Sequence, residues 1–390
     1  MFRQYLIAFI GVSGYNHKMN VLLKKVVDTM ANLHTNVDIH LFSRIKDKVE
    51  KKYKNYLFGA QPYNHAIYAA DLCLELKKYS MIDKISAITS ITIDDFKHFS
   101  VRLLSSFYME ILIHGNCSSS EAETMASTLI DGFRREKIYQ SDIPQLRVVN
   151  LGNATNYLYR FCGFNQSNPN SVVEIIYQIG ATDLENNAAL ALVKHLMQEP
   201  SFDELRTQEQ LGYIVHSSVK TNGDNIKSLL FLIQSDSYGP KYLDDRIEAF
   251  IGRYRARLAS MEKDEFDSHV KALSAEFLEK NKNLAEESSR YWSVICNGSY
   301  LFQRYQLLAK EIQKLSHSRV VRFFDKFLAK DGDSRKKLSV YIYGNKFVEE
   351  SKSTVNGAVD IENAVDFKRC SSLYPLPPPV SVQSMKVENK

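Results

Sequence analysis

Phe202-Asp203-Glu204-Leu205-Arg206-Thr207-Gln208-Glu209-Gln210-Leu211-Gly212-Tyr213-Ile214-Val215 joins a helical pattern to a strand pattern and sets an arginine and a tyrosine seven residues apart. Seven residues is almost two helical turns, about 700°, so the two side chains start on nearly one face, roughly 10 Å apart. Gly212 reads as the stop of the helix, and Tyr213 as the opening of the strand.

Upstream, Thr182-x-x-Glu185 reads as a capping box for a helix carrying Leu184, Ala188, Ala191, Leu192 and Leu196. Pro200 is expected to end that helix, and Ser201-x-x-Glu204 to start the next. Downstream, strands at 213–220 and 226–234 flank the turn signal Asn222-Gly223. Strands near 146–151, 156–163 and 171–179 precede the helix. Four or five helices fill 240–328, and a last strand lies near 337–343.

The first half reads as a strand at 5–12, a turn at Ser13-Gly14, and a helix with Val21, Leu22, Val26, Met30 and Leu33 at helical spacing. A Lys/Glu-rich helix at 36–56 and one starting after Pro62 follow. Thr92 with Asp95 resembles a capping box, 107–114 reads as an apolar strand, and 118–135 as a helix. Met109-Glu110-Ile111-Leu112-Ile113-His114-Gly115-Asn116 echoes Leu338-Ser339-Val340-Tyr341-Ile342-Tyr343-Gly344-Asn345, including the Gly-Asn ending. Two tandem copies of an α+β unit account for the echo, the first short of its opening strands. The expected domains are 1–140, partial, and 141–346, complete, with a Pro-containing tail at 347–390 that is extended or disordered. On this reading the chain begins inside a domain, leaving an apolar sheet edge that something must cover.

Composition narrows the class. The 390 residues exceed one ordinary core, and 44% hydrophobic with 24% charged residues describes a globular protein. The net charge of +5 does not call for nucleic acid. Arg44-x-Lys46-x-Lys48-x-x-Lys51-Lys52-x-Lys54 is broken by Asp47 and Glu50, and reads as a solvated helix face. No aromatic platform accompanies it. No apolar run approaches the ~18 residues of a membrane span. The apolar run at 5–12 is short for a signal peptide and lacks a small-x-small cleavage site. Cys73, Cys117, Cys162, Cys296 and Cys370 are odd in number and never form C-x-x-C, which suits reduced thiols inside a cell. By the same token the four N-x-S/T matches, at Asn116, Asn153, Asn165 and Asn297, read as chance.

A fixed cation beside a phenol suits the tetrahedral oxyanion of amide hydrolysis, since Arg is always charged and Tyr O–H donates without titrating near neutral pH. Spacing alone favours a plainer arrangement, with Arg206 paired to Glu204 or Glu209 and Tyr213 in a core. None of the ten histidines begins H-x-x-E-H or H-E-x-x-H. His195-Leu196-Met197-Gln198-Glu199 comes nearest and reads as an ordinary helix end; His114 reads as structural, at the end of a buried strand. No phosphate loop, nucleophile elbow or Cys–His pair is present.

The 202–215 stretch resembles the substrate-side signature of the insulysin branch of the insulinase/pitrilysin zinc metallopeptidases. Weaker matches run along the chain: Ser13-Gly14-Tyr15-Asn16, Gln61-Pro62-Tyr63-Asn64-His65-Ala66, Leu112-Ile113-His114-Gly115-Asn116, Val173-Glu174-Ile175-Ile176-Tyr177-Gln178, Tyr242 to Phe250, and Asp366-Phe367-Lys368-Arg369. The resemblance implies the last part of the third and all of the fourth homologous domains, the C-terminal half. It implies that Arg206 and Tyr213 are auxiliary catalytic residues, on the substrate carbonyl and the oxyanion, at a zinc site held by an N-terminal half. The chain would then carry no metal or cofactor site of its own. Zinc would belong to the missing half, on the same polypeptide or another chain, and the isolated chain would be inactive. Peptide substrates enclosed in a chamber, a positively biased inner wall with Lys280 and Lys282, and a dimer are further implications. So is the cytosol, with the mitochondrion admitted by the same analogy. The alternative is a non-catalytic peptide-binding or regulatory partner of a full-length insulysin-like protease.

Overall fold

The structure is a computed structural model and describes residues 9–376 except 134, 135, 140–142, 144, 145 and 224. Two compact units emerge: Met1–Lys54, Ser80–Gln145 and Lys282–Ile295 form one; Asn55–Tyr79, Leu146–Asn281 and Cys296–Lys390 form the other. Among the described residues, no helix is long and apolar enough to cross a membrane.

The first unit is mostly helical. Its small core of Leu23, Val27, Met125 and Phe133 lies between the helices Met19–Ala31 and Ser119–Gly132. Three capping boxes hold helix starts in this unit: Ser80 with Asp83, Thr92 with Asp95 as the sequence indicates, and Ser118 with Glu121. The basic run lies on the helix Ile39–Gly59, whose sole buried side chain is Leu57, so its face is solvated. The strand expected at 107–114 is a correction: only Ser106–Phe107 pair, with Glu136–Lys137, and 108–114 are irregular. Phe107, Met109 and Ile113 instead pack on the Leu23–Val27 core, so their apolar pattern reports burial rather than a ladder. Of the strand expected at 5–12, residues 1–8 lie outside the described residues and 9–12 have no regular structure.

The second unit is built on a six-stranded sheet: β1 (Thr155–Cys162), β2 (Ser171–Ala181), β3 (Ile214–Asn222), β4 (Ile226–Ser235), β5 (Lys336–Tyr343) and β6 (Val359–Asp360). Their order is β3-β4-β2-β5-β1-β6. The β3–β4, β4–β2 and β2–β5 pairs are antiparallel, while β1 runs parallel to β5 and β6. β2, β4 and β5 are central and buried almost throughout, which is why they read as continuous apolar runs. The expected strand at 146–151 is reduced to isolated bridges at Val148 and Val149.

Each sheet face carries its own core. Val173, Ile175 and Tyr177 of β2 point towards the helices Leu184–Phe202, Pro240–Ala259, Lys263–Leu278, Arg304–Lys314 and His317–Phe327. Val172 and Ile176 point the other way, towards Ala66, Ala69, Ala70 and Leu74 of the helix Pro62–Leu74. Residues 345–374, whose polar sequence reads as a loose tail, include three regular elements. A 3-10 helix, Asn345–Lys352, leads to β6, and the helix Ala364–Cys370 follows, with Ile361, Ala364 and Tyr374 buried as anchors. Residues 377–390 lie outside the described residues.

Candidate functional site

The helix Leu184–Phe202 starts one residue later than its sequence signal. Asp183, not Thr182, is the N-cap, its side chain accepting from the Asn186 amide. Pro200 does not end it either. The helix runs through Phe202 and widens into a π-helical stretch, Asp203–Gln208, that carries Arg206. A proline has no N–H for the carbonyl four residues back, and the Tyr254 hydroxyl donates to that Leu196 carbonyl at 2.8 Å in its place.

The chain then reverses. Gln210 takes the left-handed conformation, φ +52°, that the sequence assigns to a terminating glycine. Gly212 instead permits a close approach: a Cβ there would stand 2.0 Å from the Gln234 carbonyl oxygen at the end of β4. Gly212→Ala is therefore expected to cost about 1–3 kcal/mol by overpacking. The control is Gly252→Ala on the exposed side of a helix, where a Cβ meets nothing and a gain of about 0.5–1 kcal/mol is expected. Urea unfolding of the two variants checks the contrast.

This reversal brings Tyr213 back over Arg206. The guanidinium carbon lies 5.0 Å from the centre of the Tyr213 ring and 4.8 Å from that of Phe202, four residues earlier on the helix. The guanidinium thus lies over two aromatic rings, each contact worth about 0.5–1 kcal/mol when exposed. Arg206 makes no ion pair or hydrogen bond among the described residues. The two acids that could have neutralised it are held elsewhere: Glu209 accepts both ends of the Arg246 fork at 2.6 and 2.7 Å, and Glu204 is held by Arg253. Both arginines stand on the helix Pro240–Ala259. Tyr213 is 85% exposed, so it is no core aromatic.

A cleft of about 840 Å³ opens beside Phe202, which helps to line it. His195, His216, His269 and Arg257 stand on it with Glu199 and Asp203. His195 is thus more than a helix end: its ring meets that of His269 edge to face at 5.5 Å. Burial, and then the neighbouring His269, hold the His195 imidazole below its usual pKa. His114, by contrast, ends no strand; it bonds Ser288 at 2.7 Å in the first unit.

Among the described residues no group of three or more His, Cys, Asp or Glu side chains could hold a metal ion.

Comparison with known proteins gives a consistent set of relatives. Residues 7–87 match the middle or third domain of peptidase M16, and residues 192–292 match the C-terminal lobe domain 4 of PqqF-like PQQ synthase. The chain is 32% identical over 371 residues to the peroxisomal insulin-degrading enzyme-like 1 of Arabidopsis thaliana, covering 93% of this chain and 38% of that one. To the insulin-degrading enzyme of Homo sapiens it is 30% identical over 381 residues, 97% of this chain and 36% of the relative. The chain therefore spans little more than a third of the length of these relatives. Among solved structures, pitrilysin superposes with a TM-score of 0.78 at 19% identity, over 93% of this chain and 37% of that one. A Pseudomonas fluorescens M16 inactive domain superposes at 0.57 and 14% identity, which speaks for the fold alone.

Proposed function

We propose that this chain, a homologue of the insulin-degrading enzymes over nearly its whole length, is the C-terminal, substrate-binding half of a zinc endopeptidase of that kind. The observation that carries the reading is the state of Arg206: held over the Phe202 and Tyr213 rings, spared by the neighbouring carboxylates, and beside an exposed phenol. Contact with two rings restricts the guanidinium before substrate arrives, so less side-chain entropy remains to be lost when a peptide carbonyl accepts its N–H groups. The Tyr213 hydroxyl is a second donor for the same carbonyl oxygen as negative charge gathers on it.

Among the described residues no group of side chains could hold a metal ion, and on this reading the zinc is supplied by another part of the polypeptide or by a partner chain. On this reading the substrates are peptides flexible enough to be enclosed between two such halves. The five cysteines form no disulfide, in keeping with a reducing compartment such as the cytosol. A second reading, a non-catalytic peptide-binding or regulatory partner, draws on the same donor set.

The test is reconstitution. The purified chain, given zinc and a flexible peptide, is expected to show no chelator-sensitive cleavage. Adding the zinc-bearing half of a relative is expected to produce it. Zinc-dependent cleavage by the chain alone overturns the proposal. Peptide binding that never leads to cleavage in the mixture selects the regulatory reading.

A further inference from the structure

On the sheet face beneath the helix Pro62–Leu74, β2 carries a charge where its neighbours carry hydrocarbon. Val172 and Ile176 are fully buried, and Glu174 between them has 0% exposure as well. One of its oxygens accepts from the Lys220 ammonium of β3 at 3.4 Å, while the other, Oε2, meets no hydrogen-bond donor. Lys220 is shared, and its closer contact, 2.8 Å, goes to Asp71 on the helix. Asp71 is well supplied besides, by the Asn222 amide at 3.0 Å and the Lys78 ammonium at 3.5 Å. Two carboxylates thus compete for Lys220, and the buried one holds the weaker share.

The other groups around the cluster do not relieve Glu174. Opposite it, β4 places Leu232 and β5 places Val340. Glu75 accepts from Asn222 and pairs with Lys78. Lys368, on the helix Ala364–Cys370, donates to the carbonyls of Glu75 and Lys78. His65 on the Pro62–Leu74 helix is engaged with the Tyr56 carbonyl.

We propose that Glu174 is a proton-binding site that controls whether Lys220 straps β3 to the Pro62–Leu74 helix. With the proton on Glu174, Lys220 belongs to Asp71 and ties the strand to the helix. When Glu174 ionises, the buried carboxylate draws Lys220 away from Asp71 and the strap slackens. β3 begins one residue after Tyr213, so the strap seats the strand that follows the candidate site. Burial pushes the Glu174 carboxyl up to about 7; Lys220 pulls it down and Asp71 adds to the rise. A carboxyl raised on folding contributes stability that is complete below its unfolded value, near 4.5, and is lost as pH rises through about 7.

The experiment uses the full chain, with no peptide and no metal, so its outcome is independent of the proposed function. Thermal midpoints of the wild type and Glu174→Gln are compared from pH 5.5 to 8.5. The wild type is expected to fall relative to the variant by on the order of 5 °C across that range. The side-chain carboxyl carbon of Glu174, observed by NMR with δ-13C glutamate and assigned by the same variant, is expected to titrate near neutral pH. Asp71→Asn gives Lys220 wholly to Glu174, so the titration should move towards acid by about one pH unit or more. A pH-independent gap between the midpoints overturns the proposal. So does a Glu174 carboxyl titrating at the ordinary carboxylate value, or one unmoved by Asp71→Asn. Should Glu174→Gln fail to fold, the shift of the most alkaline glutamate titration in Asp71→Asn decides alone.

Discussion

Tyr213→Phe, in an assembly joining this chain to a zinc-bearing half, is expected to lower kcat by about 10²-fold and to leave KM within about threefold. The phenyl ring keeps its place over Arg206, so only the hydroxyl donor is lost. Arg206→Ala removes a carbonyl donor as well and leaves the Phe202 and Tyr213 rings without the cation between them. Both kcat and kcat/KM should then fall, by about 10²–10³-fold for kcat. Arg206→Lys discriminates stacking from charge: an ammonium keeps the charge but offers no planar fork, so most of the loss should persist. Steady-state kinetics on one flexible peptide checks all three. Full rescue by lysine would show that charge alone matters, and a Tyr213→Phe variant as fast as the wild type would remove the hydroxyl from the chemistry.

Asp244→Ala should be the most destabilising single change in the second unit, by about 3–5 kcal/mol. Asp244 stands on the helix Pro240–Ala259, 3% exposed, directly over β5. Its carboxylate accepts from the Lys337 ammonium, from the Ser339 hydroxyl at 2.7 Å and from the Tyr341 hydroxyl at 2.9 Å. Those three donors sit at alternate positions of one strand, so a single acceptor serves three successive positions on one face of β5. Alanine leaves two hydroxyls and part of a buried ammonium without partners, although Glu248 still holds Lys337 at 2.7 Å. Asp244→Asn keeps an acceptor and should lose less. Urea unfolding followed by circular dichroism measures the series, and a loss below about 1 kcal/mol for the alanine variant would contradict the role given to this network.

How much of this was legible in the sequence depends on what each residue reports. Central strands were readable because Val173, Ile175 and their neighbours are buried on both faces, and a short continuous apolar run rich in β-branched residues marks such a strand. The same signal misled at 107–114, where apolar side chains pack on a helical core without a ladder. Proline misled at 200, because the Tyr254 hydroxyl, from a distant helix, replaces the missing N–H at the Leu196 carbonyl. Nothing local could show that Pro62–Leu74 covers a sheet formed almost entirely by residues beyond 150; that is a long-range choice made by packing.

The candidate site shows the same division. Arg206 and Tyr213 stand together as their spacing suggests, but the cause differs: a left-handed Gln210 and a close-packed Gly212 fold the tyrosine back, rather than two helical turns aligning it. Phe202 went unnoticed, although its position four residues before Arg206 was a readable sign of contact on one helix face. Arg246 and Arg253, which take up Glu209 and Glu204, lie some forty residues away and leave no such trace. Glu174 was the most readable omission, since an acid inside Val-Val-Glu-Ile-Ile demands a partner or a proton.

Equilibrium binding of an uncleavable, flexible peptide to the purified chain, wild type against Arg206→Ala, tests the central claim most directly. Titration calorimetry is expected to show binding weakened by about tenfold or more, the cost of a lost charge-assisted carbonyl contact. Equal affinity for the two proteins would mean that the stacked guanidinium does not hold the peptide, and the proposed role of this chain would have to be abandoned.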